Sequence, residues 1–273
     1  MHSVNTCGGE RLSRNDGDGL QRRPGTWGLA TVVFWSLLAV ATVGHAGPQL
    51  GPRTGQEAVQ VGDLPLIELP TTDRNDVLAV ILSGDGGWAD LDKSFGEAFQ
   101  KRGIASVGFD CLKYFWKERD PAEVSQALAA VLRHYLQAWE KKRVLLVGFS
   151  FGACWLPFLV NRLPDDLLAR VDYCVLLGPS TFVNVEIHVL DWMKDERRPG
   201  ALEVLPEAAR IKGPVLCVYG TEETDAICPA LKGGNFSVLA MPGGHHYNYR
   251  YDPVIQAIFK GLEAAQQQKP PAR

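Results

Sequence analysis

The sequence predicts an α/β fold: a mostly parallel β-sheet with helices on both faces. Apolar runs of strand length alternate along the chain with longer segments whose apolar residues recur at helical spacing, the pattern of strand–helix–strand units. The runs at residues 77–82 (Val-Leu-Ala-Val-Ile-Leu) and 144–147 (Val-Leu-Leu-Val) are continuous rather than alternating, as in strands covered on both faces. The second run leads straight into Gly148-Phe149-Ser150-Phe151-Gly152, a serine flanked by glycines between a strand and a helix.

The elements read in order as follows. Residues 64–69 form an edge strand and residues 77–82 a buried one, followed by the glycine-rich loop Ser83-Gly84-Asp85-Gly86-Gly87-Trp88. A helix spans residues 90–102, with Asp90 or Asp92 near its start and Gly103 as its stop. A strand follows at 104–109. Pro121 opens a helix reaching 139, in which Val124, Leu128, Val131, Leu132 and Tyr135 keep helical spacing. The strand at 143–148 precedes the serine, and residues 153–160 continue as a helix with Pro157 in its early part, where a lost hydrogen bond costs least. Strands are predicted at 171–177, 214–219 and 236–240, and a final helix at 253–264. Residues 181–200 read as an irregular, cap-like insertion holding Ile187, Val189, Leu190, Trp192 and Met193. Right-handed crossovers place all the strand-to-helix loops on one edge of the sheet.

Composition narrows the function classes. The 273 residues carry a formal charge of −3, with 22% charged and 46% hydrophobic residues and no internal repeat. That is ordinary for a globular protein, and no electrostatic footprint for nucleic acid is present. At the N-terminus, Arg11, Arg14, Arg22 and Arg23 precede an uncharged apolar stretch at 27–43, and Gly44-His45-Ala46 follows. This reads as a secretory signal over 1–46, cleaved after Ala46, with an uncleaved anchor as the competing reading. Residues 47–63 form a linker, 64–265 one domain and 266–273 a tail. Cys7 leaves with the signal; Cys111, Cys154, Cys174, Cys217 and Cys228 remain. No Cys-x-x-Cys occurs, so no metal site is expected. One disulfide could form in an exported protein, without a pairing that the sequence assigns.

The chemistry gathers at the loop edge. Ser150 is the candidate nucleophile; its flanking glycines suit a turn too sharp for a Cβ. It needs a base, expected from Met241-Pro242-Gly243-Gly244-His245-His246-Tyr247, where either His245 or His246 fits. The orienting acid is expected after the preceding strand, in Thr221-Glu222-Glu223-Thr224-Asp225. Asp225 is the expected acid, because Glu222 and Glu223 lie so close to the strand end. The order Ser, Asp, His is that of the α/β-hydrolases. Two backbone N–H groups, of Phe151 and Asp85, are the expected oxyanion donors. The Asp85 carboxylate would oppose a developing oxyanion, so it is expected to point away and hold a cationic substrate group. Asp110 could do the same, or serve as a turn residue or helix cap. Gly86, Trp88, Tyr114 and Trp116 are expected on the substrate side, where the aromatics could line an acyl or lipid pocket or pack as core.

The motif from Leu82 through Gly84-Asp85-Gly86-Gly87-Trp88, Tyr114-Phe115-Trp116 followed by Arg119 and Pro121, Gly148-Phe149-Ser150-Phe151-Gly152-Ala153, and Gly243-Gly244-His245-His246 together resemble the AcvB/VirJ family of bacterial virulence proteins. The resemblance spans residues 64–262. It implies a single VirJ-like domain with the α/β-hydrolase fold, exported to the periplasm. It also implies action on aminoacylated phosphatidylglycerol at the inner-membrane surface, releasing lysine from lysyl-phosphatidylglycerol, and a link to type IV secretion components. Ser150 matches the family's serine and His245-His246 its histidine pair, while Cys154 stands where a polar residue is expected. The expectation is therefore a serine esterase working through an acyl-enzyme on Ser150 without a cofactor. The alternatives are a generic periplasmic esterase or thioesterase, and a non-catalytic periplasmic adaptor for secretion.

Overall fold

Two apolar layers sandwich a seven-stranded sheet, and each strand divides its side chains between them. The computed structural model describes residues 59–188 and 196–268, all within the unit Gly55–Arg273. The expected signal, the linker as far as residue 58, Val189, Leu190, Trp192 and Met193, and residues 269–273 lie outside the described residues.

In chain order the elements are β1 (Leu66–Leu69), β2 (Val77–Leu82), α1 (Asp90–Lys101), β3 (Ala105–Phe109), α2 (Cys111–Tyr114), α3 (Pro121–Ala138), β4 (Arg143–Phe149), α4 (Phe151–Val160), α5 (Asp165–Leu168), β5 (Val171–Leu177), β6 (Phe182–Val183), β7 (Leu202–Glu203), α6 (Val204–Ala208), β8 (Val215–Gly220), β9 (Phe236–Met241) and α7 (Asp252–Gln268). The main sheet runs β1-β3-β2-β4-β5-β8-β9. Only β1 is antiparallel to its neighbour, pairing Leu66 with Phe109; the other pairs are parallel. The expected α/β-hydrolase architecture is thus borne out.

Along β2, Val77, Ala79 and Ile81 join one core layer with Phe95 and Phe99 of α1 and Ile258 and Phe259 of α7. Leu78, Val80 and Leu82 join the other with Leu128 and Leu132 of α3 and Trp155 and Leu156 of α4. Burial on both faces is why the run is continuous in sequence. α3 starts where it does because the Asp120 carboxylate accepts the Ala122 N–H at 2.8 Å and Pro121 supplies the preset φ of the first turn.

Three details differ from expectation. α4 begins at Phe151, so Pro157 is its seventh residue and not an early one. Every residue from Gly152 to Val160 is buried, and this packing outweighs the lost hydrogen bond. The short α2 follows β3 directly, capped by Asp110. Within the insertion, Phe182–Val183 pairs antiparallel with Leu202–Glu203.

The strand order also locates the crevice. β2 connects through α1 to β3 on one side, whereas β4 connects through α4 to β5 on the other. β2 and β4 are adjacent, so the sheet switches direction between their carboxyl ends, where ligands bind in open α/β sheets.

Candidate active site

Ser150 sits at that switch point, at φ 53° and ψ −116°. A non-glycine residue with positive φ is strained and persists only where its surroundings hold it. Its amide donates to the Leu177 carbonyl at 2.8 Å and its carbonyl accepts from the Cys154 N–H at 3.0 Å. The flanking glycines are demanded by backbone contact. A Cβ on Gly148 would lie 2.5 Å from the Gly152 carbonyl oxygen, and one on Gly152 would lie 2.5 Å from the carbonyl oxygen of Leu82. As the first residue of α4, Phe151 has no intrahelical acceptor for its N–H, which stands beside Ser150 at the positive end of the helix dipole.

The loop after β2 closes over the serine. A Cβ on Gly84 would be 3.5 Å from Ser150 Cβ. The loop turns at Gly87, whose φ is 77°, and the Gly87 N–H donates to the Gly84 carbonyl at 3.1 Å. Its floor is Ser83, fully buried, whose Oγ accepts the Cys111 N–H at 3.0 Å and donates to the Gly84 carbonyl at 3.1 Å. Ser83 thereby ties the ends of β2 and β3 together. Gly86 is the exposed apex.

The base and its acid come from the loops after β9 and β8. His245 Nδ1 lies 2.6 Å from Glu223 Oε1. The second Glu223 oxygen accepts the Gly220 N–H at 2.5 Å. The His245 ring packs on Phe149, the residue before the nucleophile, at 5.1 Å between centroids. Gly178, at φ 63°, ends β5 beside it: a Cβ there would be 2.7 Å from His245 Cε1. The ring is thus confined between the strand end that carries Ser150 and the strand end that receives the Ser150 N–H. With Nδ1 engaged, Nε2 is the nitrogen left for proton transfer. Burial pulls the His245 pKa down, but the Glu223 hydrogen bond and charge, with the Asp225 and Asp85 carboxylates behind them, outweigh it and leave the ring above its ordinary value. For Glu223, burial acts upward and is overcome by the His245 contact and the Gly220 N–H, so the carboxyl lies below the usual range.

His246 differs from its neighbour. It is exposed, stacks on Tyr249 at 5.8 Å, and has its pKa lowered by partial burial and by the adjacent His245 charge. The chain then turns through Tyr247, Asn248 and Tyr249 at φ 53°, 51° and 58°. Tyr247 is fully buried and pins this strained turn from beneath.

The structure corrects four expectations. The acid against the ring is Glu223, not Asp225. Asp225 is exposed and acts on His245 only as a nearby charge; the extra methylene of glutamate lets Glu223 reach the ring from a position only three residues past Gly220. Asp110 is buried, accepts the Lys113 N–H at 3.2 Å and pairs with Lys113 Nζ at 3.0 Å, so it caps α2 and is not held for a substrate cation. Tyr114 is core: its ring packs on Phe109 and Phe115 and carries Arg119 over its face. Trp88 covers Gly108 of β3, where a Cβ would lie 2.6 Å from its Cε3. Trp116, by contrast, is 55% exposed. Cys154, at the unexpected position in α4, accepts the Ser180 N–H through its sulfur at 3.2 Å. Nothing in the local sequence distinguishes Ser83 as a site support; for Gly178, the Gly-Pro pair after the β5 run is the available signal.

The model of the family described as "Bacterial virulence protein (VirJ)" matches residues 76–266. The chain belongs to this family. Among solved structures, the chain is similar to the esterase Est1E from Butyrivibrio proteoclasticus with bound ferulic acid (TM-score 0.55, 13% identity, covering 75% of this chain and 96% of that one). It is also similar to MenH from S. aureus (TM-score 0.54, 13% identity, 74% and 98%) and to proline iminopeptidase from Mycobacterium smegmatis (TM-score 0.52, 14% identity, 77% and 99%). At these identities the likeness concerns the fold. No protein of curated function matches the chain. For this VirJ-family chain, the α/β-hydrolase fold holds over nearly all the described residues.

Proposed function

We propose that this chain is an exported serine hydrolase that cleaves the aminoacyl ester of lysyl-phosphatidylglycerol. The observation that carries the hydrolase reading is the Glu223–His245 pair set against the strained Ser150 elbow through Phe149 and Gly178. A nucleophile, a base and an orienting acid on three separate strand ends are the parts that acyl transfer needs.

Ser150 Oγ attacks the ester carbonyl carbon and its proton passes to His245 Nε2. The Glu223 carboxylate stabilises the imidazolium that forms. The tetrahedral oxyanion is held by the N–H groups of Phe151 and Asp85. The intermediate collapses, and the departing glycerol oxygen of phosphatidylglycerol takes the proton from His245. Water, deprotonated by the same ring, then attacks the acyl-enzyme; the acyl–Oγ bond breaks, Ser150 Oγ takes the proton back from His245, and the amino acid is freed.

The substrate rests on family membership and on charge. The Asp85 and Asp225 carboxylates act on His245 from nearby, and Glu222 and Asp225 are exposed on the same loop, which suits a cationic aminoacyl group. The exposed Trp116 suits a lipid body at the outer face of the inner membrane. Export is supported by the Cys217–Cys228 disulfide, a bond favoured in oxidising compartments.

The test is lysine release from purified lysyl-phosphatidylglycerol, together with fluorophosphonate labelling of Ser150. Release by the wild type and none by a folded Ser150→Ala variant supports the reading. Labelling without release leaves a hydrolase of another ester; the absence of both labelling and release overturns the enzyme reading.

A further inference from the structure

The segment that carries Glu223 is poorly packed between its ends. Thr221, Glu222, Thr224 and Asp225 are all exposed, so side-chain burial contributes little to fixing the path of the chain there. Yet Glu223 must hold one oxygen 2.6 Å from a histidine 22 residues away. At the strand end, backbone bonds from the Thr221 N–H to Met241 and from the Glu222 N–H to Gly243 hold its start; what closes its far end is covalent. Cys217 on β8 is bonded to Cys228, with a sequence separation of 11 and a Cα–Cα distance of 5.4 Å, and Glu223 lies between them. Both cysteines are fully buried. Cys217 is held in the sheet between Leu176 and Val238, so the bond returns the far end of the loop to the strand it left. Just before Cys228, the Ile227 N–H donates to the Pro179 carbonyl at 3.0 Å and Ala226 bridges to Ser180. This docks the return of the loop on the same short segment whose Gly178 confines the His245 ring. The acid loop and the wall of the histidine are therefore referenced to one another through the crosslink.

The geometry points to a function for the Cys217–Cys228 disulfide beyond stability: it positions Glu223 against His245 and so sets the competence of the catalytic pair. Cys217 and Cys228 are positioning residues, acting through Glu223. The inference rests on the hydrolase reading only for the identity of the pair, and its test does not need the substrate. A loop free to wander by about an ångström costs reactivity roughly 10- to 100-fold, and an acid that leaves the ring removes what raises the ring's pKa.

The experiment is a double-mutant cycle between Cys217→Ala/Cys228→Ala and Glu223→Gln. It is read as the rate of fluorophosphonate labelling of Ser150 and as the NMR titration of the His245 imidazole in the folded proteins. In the Glu223 background, loss of the crosslink is expected to slow labelling about 10-fold or more and to move the His245 titration to lower pH. In the Glu223→Gln background the same cysteine change is expected to cost less than about two-fold, because the interaction it serves is already gone. Equal losses in both backgrounds, or an unmoved titration, overturn the proposal and leave the bond a staple only. If the Ala pair does not fold, Cys217→Val/Cys228→Ala restores part of the lost volume and carries the same readings. Failure of both pairs to fold also overturns the proposal, since the bond then holds the sheet and not the loop. If Ser150 never reacts with the probe in the wild type, the hydrolase reading fails while the His245 titration still decides this one.

Discussion

Ser150 and His245 are held by different means. Ser150 is fixed by backbone: Gly148 and Gly152 permit the turn against the end of β2, Phe151 opens the helix that completes it, and the Ser150 N–H rests on the Leu177 carbonyl. His245 is fixed by residues far from it in sequence. Its acid lies 22 positions away in the loop after β8, its wall is Gly178 at the end of β5, and its floor is Phe149 beside the nucleophile. The serine side is one contiguous motif seated on sheet backbone, and the histidine side is an assembly of side chains from separate loops. The first should fail only when its own motif is changed; the second should be open to damage from several elements.

The largest effect expected is on the serine side. Ser150→Ala should lower turnover by about a thousand-fold or more while the protein stays folded, measured as ester hydrolysis alongside a thermal melt. Gly152→Ala should instead cost about 3 kcal/mol or prevent folding, because its Cβ meets backbone that cannot step aside. Chemical denaturation checks this, and a normally stable Gly152→Ala would refute the backbone account of the elbow.

On the histidine side, Glu223→Gln should reduce kcat about a thousand-fold, whereas Asp225→Asn should change it only a few-fold. The pH profile carries the sign. Glu223 and its charge raise the His245 pKa, and the base must be neutral to act. Activity should therefore rise with pH through that raised value, and Glu223→Gln should move the acid limb of kcat/KM to lower pH. A larger loss for Asp225→Asn than for Glu223→Gln would reverse the assignment of the acid.

Gly178→Ala tests whether the histidine is held at a distance. The residue has φ 63° and its Cβ would press on the ring. A loss of kcat of about 10- to 100-fold with KM nearly unchanged is expected, at about 1–2 kcal/mol of stability.

The smallest effect sharpens the contrast from the serine side, where the loop over Ser150 does use one distant support. Asp92 of α1 is 1% exposed and accepts the Ala89 N–H at 3.0 Å, while its Oδ1 has no hydrogen-bond partner among the described residues. Burial pushes its pKa up from 3.8 to about 7. The fold thus favours the protonated form, and this group's contribution to stability is fully present below pH 3.8 and is lost as pH rises through about 7. Asp92→Asn should stabilise the protein by about 2 kcal/mol at pH 8 and by little at pH 4, read from denaturation at the two pH values. Equal effects at both would show that the carboxyl is not titrating with folding.

The same contrast explains what was legible before the structure. The strands, their faces and the serine elbow follow from patterns only a few residues long, which periodicity and glycine placement expose. The histidine loop was legible, though not which ring, since His245 and His246 differ only in which one faces β5 and β8. Sequence spacing favours Asp225 over Glu223, because closeness to the strand end counts against a residue reaching the ring. The backbone bonds from the Glu222 N–H to Gly243 and from the Glu223 N–H to Gly220 set the direction of each side chain, and no spacing rule encodes them. Asp110, Tyr114 and Trp88 carry the right chemistry for a pocket, but helix capping and core packing claim them first.

The sequence by itself determined the sheet, its two apolar layers, the position of Ser150 and the family, because each rests on short-range periodicity or on a contiguous motif. The tertiary structure alone decided which carboxylate meets which imidazole, which two cysteines join, and which aromatics remain at the surface. Those depend on where separate strand ends come to rest side by side, and a side chain's reach across that gap is set by loop paths that the local residue types leave open.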